Sequence, residues 1–157
     1  MARWGKCDYR QLKRLQKRME SLESVDLDFF CKECAKELAA RLLRKVIKNT
    51  PEGDYPSSTG KVGGTLIRGW TGGVKTNASN YAKGLPINKK GNVYEIIVEN
   101  PVSYGIYVEF GHRYRNHKGW HPGKFMLTKA EIELEGQLEA IIEKKLITFL
   151  GEYLYGK

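Results

Sequence analysis

The densest chemistry in this chain is the run HRYRNHKGWH from His112 to His121, which holds all three of its histidines. Histidine and tyrosine can exchange protons near neutral pH, and arginine can clamp a phosphate. Arg113, Tyr114, Arg115, His117 and His121 therefore supply the side-chain types of a metal-independent ribonuclease. His112, Asn116, His117 and His121 could instead polarise water or bind a divalent ion, but such sites usually add carboxylates. The run contains no Asp or Glu. The plainer reading is an exposed basic loop, and it is preferred because loop histidines cluster by chance over so short a window.

Other constellations fare less well. Cys31, Cys34, His117 and His121 are zinc-ligand types, but the cysteines fall on the apolar stripe of a predicted helix more than eighty residues away. Free cysteine there behaves as a small hydrophobe, so the core reading is preferred. The glycines of STGKVGGT (Ser58 to Thr65) lack the Gly-Lys-Ser/Thr ending of a phosphate loop and open no predicted helix. No serine–histidine–aspartate arrangement or paired-carboxylate site can be argued from spacing. Glu109 is the odd carboxylate, set between Val108 and Phe110 in an apolar segment. A structural clamp to Arg68 or Arg113 is preferred to catalysis. No metal and no cofactor are expected.

These residues must be held by a chain of 157 residues, a size that fits one domain with a modest core. No apolar run approaches the ~20 residues of a membrane span. The N-terminal MARWGKCDYRQLKRLQKR is charged without an apolar stretch, so no secretory signal is read. Three cysteines fit a reducing interior, and the expectation is an intracellular protein. The net charge of +9 is unevenly spread: residues 1–124 carry 23 Lys and Arg against 12 Asp and Glu, whereas residues 125–157 carry 4 against 6. A basic body permits contact with nucleic acid or an acidic protein surface, although solvated helix faces would look the same.

The spacing predicts helices in residues 1–50. Asp8 with Gln11 opens the first, on which Leu12, Leu15, Met19 and Leu22 recur. Ser24 or Asp26 caps the second, whose stripe is Phe30, Cys31, Cys34, Leu38, Leu42 and Val46. It should stop at Asn49-Thr50-Pro51, because proline disfavours helical geometry in the residue before it. Residues 51–64, rich in Pro, Gly and Ser, are expected to form a mobile loop. Residues 65–100 are expected to be strands: TLIRGWTGGVKTN with a bulge, then a hairpin turning at Asn88 to Gly91 with a second strand from Val93 to Glu99.

Ser103 should cap a short helix within residues 101–111 bearing Tyr104, Tyr107, Val108 and Phe110, with Gly111 as a left-handed C-cap. Residues 112–123 follow as a basic loop. A last helix occupies residues 124–157, opened by a Thr128–Glu131 capping box with a stripe of Leu127, Leu134, Leu138, Ile141, Ile142, Leu146, Phe149 and Leu150. The predicted class is α+β: N-terminal helices and a long C-terminal helix packed on a small, mainly antiparallel twisted sheet.

Tyr104-Gly-Ile-Tyr-Val-Glu-Phe-Gly111 resembles the aromatic-x-x-Val-Glu-aromatic-Gly signature of the tail-component family of long-tailed phages, named for the tenth gene product of an HK-type phage. The chain is also distantly similar to the minor tail protein Z of lambda-like phages. His121-Pro-Gly-Lys-Phe-Met-Leu and Ala130 resemble the family's Pro-Phe-hydrophobic run into the last helix, and Asn49-Thr-Pro51, Ser58-Thr-Gly60 and Thr65 to Trp70 resemble its upstream segments. Two departures stand out: the adjacent Pro-Phe is split as Pro122-Gly-Lys-Phe125, and Gly63-Gly64 and an Ile stretch the upstream segment.

The resemblance implies a non-enzymatic morphogenesis protein of the virion at the head–tail junction, a neck, connector or tail-completion component assembled in the cytoplasm of the bacterial host. It implies other phage connector and tail proteins as partners, a homo-oligomeric ring, and no membrane. Tyr104, Tyr107, Val108, Glu109, Phe110, Gly111, Trp120, Pro122, Phe125 and Ala130 would be structural, with Trp120, Pro122 and Phe125 seating the last helix. Losing such a buried aromatic costs about 3–5 kcal/mol. Arg113, Tyr114, Arg115, His117, Lys118 and Lys61 would face a partner or make non-specific contact with packaged DNA. The alternative from the residues themselves is a small basic metal-independent endoribonuclease of toxin type.

Overall fold

The computed structural model describes Lys17 and residues 24–155. The first predicted helix lies outside the described residues apart from Lys17, and so do the side chains of Ser24 and Asp26 that were expected to cap the second. Helix α1 runs Ser24–Asn49 and stops, as the sequence predicts, before Thr50-Pro51. Thr50 turns the corner with its hydroxyl, which donates to the Val46 carbonyl (2.6 Å) and accepts from the Trp70 indole N–H (2.8 Å). That buried pair fixes where the next segment meets α1.

The next segment is a helix where a strand was expected. α2 spans Thr65–Gly69, and Gly64 at φ +81° precedes it. β-Branched and aromatic residues made it read as a strand, but Leu66 and Trp70, four apart, are both buried in the core. Burial on one side of a helical turn overrides local propensity. A second short helix, α3, spans Ala78–Gly84, with Asn77 Oδ1 accepting from the Asn80 N–H (2.8 Å). Ala78 and Ala82 meet Ala39, Ala40, Leu43 and Val46 of α1 in one core cluster. Small side chains at these positions let the two helix backbones come close.

The strands do not form one sheet. β1 (Asn88–Lys90) and β2 (Val93–Glu95) pair antiparallel, with Lys90 opposite Val93. The turn therefore lies about two residues later than predicted, at Gly91 with φ +60°, and β2 ends at Glu95 rather than Glu99. Asp28 of α1 anchors this hairpin, accepting from Lys89 (2.5 Å) and the Tyr94 hydroxyl (2.6 Å) and pairing with Lys32 (2.6 Å). Lys32, Lys89 and Tyr94 together hold the Asp28 carboxyl well below the usual carboxylate range.

The chain then forms α4 (Gly105–Phe110), a second antiparallel pair β3 (Gly111–Arg113) and β4 (Trp120–Pro122), and the long α5 (Met126–Tyr155). α5 lies along α1, tied by Lys45 to Glu133 (3.0 Å) and by Lys145 to the Glu33 carbonyl (3.1 Å). Met126 and Ala130 enter the core, while Leu138 and Leu146 of its predicted stripe are exposed. Cys31 and Cys34 are half-buried free thiols, and burial raises the Cys34 pKa above its ordinary value. The fold is α+β, as the sequence predicts.

Replacing Trp70 with Phe tests the corner at Thr50. The expected result is a loss of about 1–2 kcal/mol in urea unfolding, from the lost hydrogen bond and the smaller ring.

Candidate functional site

α4 buries its carboxylate and exposes its aromatic rings. Glu109 is only 7% exposed, whereas Tyr104, Ile106, Tyr107 and Phe110 are exposed and Val108 is partly buried against the core. The helix begins at Gly105 with Tyr104 before it and no side-chain cap, so Ser103 does not cap it.

The reason for a buried glutamate lies across the chain. The Leu127 N–H donates to Glu109 Oε2 (2.9 Å), and the Thr128 N–H (3.0 Å) and hydroxyl (2.8 Å) donate to Oε1. Glu109 thus caps the N-terminus of α5, where free N–H groups and the helix dipole both favour an anion. The first turn of α5 has no acidic residue of its own. The predicted Thr128–Glu131 box is replaced because Thr128 already bonds Glu109. The predicted clamp partners are replaced too: Arg68 donates to the Gly63 carbonyl (3.1 Å), not to Glu109. Burial pushes the Glu109 carboxyl up, but the N–H groups of Leu127, Thr128 and Met126 and the Thr128 hydroxyl hold it below its ordinary value.

Two backbone bonds close the same junction. The Lys124 N–H donates to the Val108 carbonyl (2.8 Å) and the Phe125 N–H to the Glu109 carbonyl (3.0 Å), satisfying carbonyls at the end of α4. Gly111 and Gly123 face each other here. A Cβ on Gly111 would lie 2.3 Å from the His121 carbonyl oxygen, and one on Gly123 would lie 2.2 Å from the Glu109 carbonyl oxygen. Gly111 has φ +86° as expected but an extended ψ of 176°, so it leads straight into β3 instead of closing a left-handed cap. Gly123 is what lets the returning strand cross α4. The Phe125 backbone adopts φ +53°, unusual for a bulky residue. Its carbonyl accepts the Lys129 N–H (3.0 Å) as α5 begins.

Most of residues 112–123, expected as a basic loop, belong to the β3–β4 hairpin, with His112 opposite His121 and Arg113 opposite Trp120. The tip turns through His117 at φ 58° and Gly119 at φ 104°, with Asn116 Oδ1 accepting the Lys118 N–H (3.0 Å). The His112 and His121 rings stack at 5.2 Å, with Tyr107 edge-on to the first and Tyr114 edge-on to the second. Phe110 and Phe125 meet edge to face at 6.5 Å.

The structure brings most of these residues to one junction, but three of them do not take the buried positions expected of them. Trp120 (55% exposed), Pro122 and Phe125 (41% exposed) are not buried and do not seat α5 in the core. They stand on the projecting hairpin and its return, while Met126 and Ala130 do the seating. Lys61 is elsewhere, 5.8 Å from the Tyr55 ring centre within residues 51–64. His112 and His121 stack side by side on an exposed ribbon, and His117 lies at its tip. The groove of about 470 Å³ beside α4, lined by Val102, Ile106, Phe110, Leu127 and Glu131 among others, contains no histidine. Among the described residues no group of three or more His, Cys, Asp or Glu could hold a metal ion, and no helix is long and apolar enough to cross a membrane.

A buried carboxylate thus braces the base of an exposed aromatic and basic hairpin. Residues 13–111 match the family described as "Bacteriophage HK97-gp10, putative tail-component", and the chain belongs to this family. The match ends at Gly111, so it includes α4 with Glu109 and stops where the hairpin begins. Membership makes the chain a structural component of phage tails, a protein of the virion that works with other tail proteins. No curated protein and no solved structure gives a match.

Proposed function

We propose that the chain is a neck or tail-completion protein at the head–tail junction, without enzymatic activity. It oligomerises, in a ring, and presents its loops to adjacent ring proteins after synthesis in the host cytoplasm. The observation that carries this reading is the β3–β4 hairpin. It is closed at its base by Glu109, Gly111 and Gly123, and it displays Arg113, Tyr114, Arg115, His117, Lys118 and Trp120 to solvent. Exposed aromatic rings beside positive charge suit an interface with an acidic neighbouring protein. Single-sign charge also suits non-specific contact with the DNA that passes the junction.

The test is electron microscopy of lysates from the parent phage with this gene deleted. Filled heads beside separate or aberrant tails support the reading; normal infectious particles overturn it. Within the same system, Trp120→Ala with Phe125→Ala separates interface from stability. Both side chains are exposed, so the pair should cost no more than about 1 kcal/mol in thermal or urea unfolding. Infectious titre should nevertheless fall sharply, because aromatic side chains dominate the energy of protein interfaces.

A further inference from the structure

We propose that the glutamate face of α5 is the docking site for the β3–β4 hairpin of a second copy of this chain. Glu131, Glu135, Glu139 and Glu143 are all exposed and follow each other at four-residue intervals, so they form one stripe along the helix. No Lys or Arg lies between Lys129 and Lys144 to relieve it. Like charges at this spacing repel and destabilise a free helix. None of the four has an ion-pair or hydrogen-bond partner among the described residues, whereas Glu133 pairs with Lys45 on α1. Exposed Ile132 and Leu146 lie beside the stripe.

The hairpin is its complement. Arg113, Arg115 and Lys118 are exposed and have no ion pair among the described residues, and Glu109 is the only acid between Pro101 and Ala130. Tyr114 and Trp120 add exposed rings that fit beside Ile132. The base of the hairpin is fixed on α4 and the start of α5, and in that position its charges make no ion pair with these four glutamates of its own chain. A second copy satisfies both. Each copy carries one hairpin and one glutamate face, so the contact joins unlike surfaces: repeated head to tail it closes into rings or grows into filaments, and exchanged reciprocally it closes a two-fold dimer. The inference rests on the oligomerisation in the proposed function and assigns its contact.

The experiment is sedimentation velocity of the purified full chain at low and high salt. The wild type should associate at low salt and dissociate as salt rises. R113E/R115E/K118E and E135K/E139K/E143K should each weaken association more than about a hundredfold, since like charges across an interface cost several kcal/mol. An equimolar mixture should associate again, because each reversed hairpin then meets a reversed helix; rescue also shows that both variants are folded. A wild type that stays monomeric at high micromolar concentration and low salt overturns the proposal, as does failure of the mixture to associate. Variants that associate like the wild type remove this contact while leaving oligomerisation at the junction standing.

Discussion

Replacing Glu109 with Ala should destabilise the protein by about 3 kcal/mol, a large part of the stability of a domain this size. The carboxylate takes three hydrogen bonds from Leu127 and Thr128 while 7% exposed. Alanine leaves those donors partly buried without an acceptor and removes a negative charge from a helix N-terminus. Glu109→Gln should recover only part of the loss, because one end of the amide points further donors at donors. The pH dependence has a definite sign. The folded-state pKa of Glu109 is lowered, so its contribution is fully present above the ordinary glutamate value and disappears as pH falls through the folded-state value. Thermal unfolding from neutral to acid pH should therefore show wild type and Glu109→Gln converging at the acid end. Equal stabilities at neutral pH would remove Glu109 as the cap of α5.

How far such a site can be read from sequence depends on where its partners lie. α1 was legible because its apolar residues recur at helical spacing and Thr50-Pro51 ends it, and α5 was legible for similar reasons. The β1–β2 hairpin was legible from alternation and a glycine, but its turn lies later and its second strand ends sooner than expected. α2 was not legible, because Thr65, Ile67 and Trp70 carry strand propensity, whereas the segment is helical with Leu66 and Trp70 buried and Trp70 bonded to Thr50. Glu109 stood out as a carboxylate among apolar neighbours. Its partner was hidden because Leu127 and Thr128 lie 18 and 19 residues along the chain. The one local clue was that α5 opens with no acidic residue. Trp120 and Phe125 were misjudged for a different reason: hydrophobicity says that a ring gains by leaving water, not whether its own chain or a neighbour covers it.

Gly123→Ala should separate the hairpin from the rest of the fold. The added methyl would sit 2.2 Å from the Glu109 carbonyl oxygen and 2.6 Å from the Phe110 carbonyl carbon, and both are backbone atoms that no rotamer change can move. Relief requires the returning strand to draw away from α4. That breaks the bonds from Lys124 to Val108 and from Phe125 to Glu109, and it pulls Leu127 and Thr128 off the carboxylate. Losing two backbone bonds and a buried cap together should cost about 3–4 kcal/mol. The core of Leu43, Val46, Ala82 and Trp70 lies on other elements, so the loss should be concentrated locally. Hydrogen exchange should show the amides of Lys124, Phe125, Leu127 and Thr128 losing protection while those of α1 keep most of theirs. On the proposed role at the head–tail junction, phage carrying the variant should then fail to join heads to tails although the protein is still made. If exchange at these amides is unchanged, the glycine crossing does not hold the hairpin. If the crossing opens and infectivity survives, the hairpin need not be held in this position for the protein to work, and the interface must be sought on the exposed face of α5 alone.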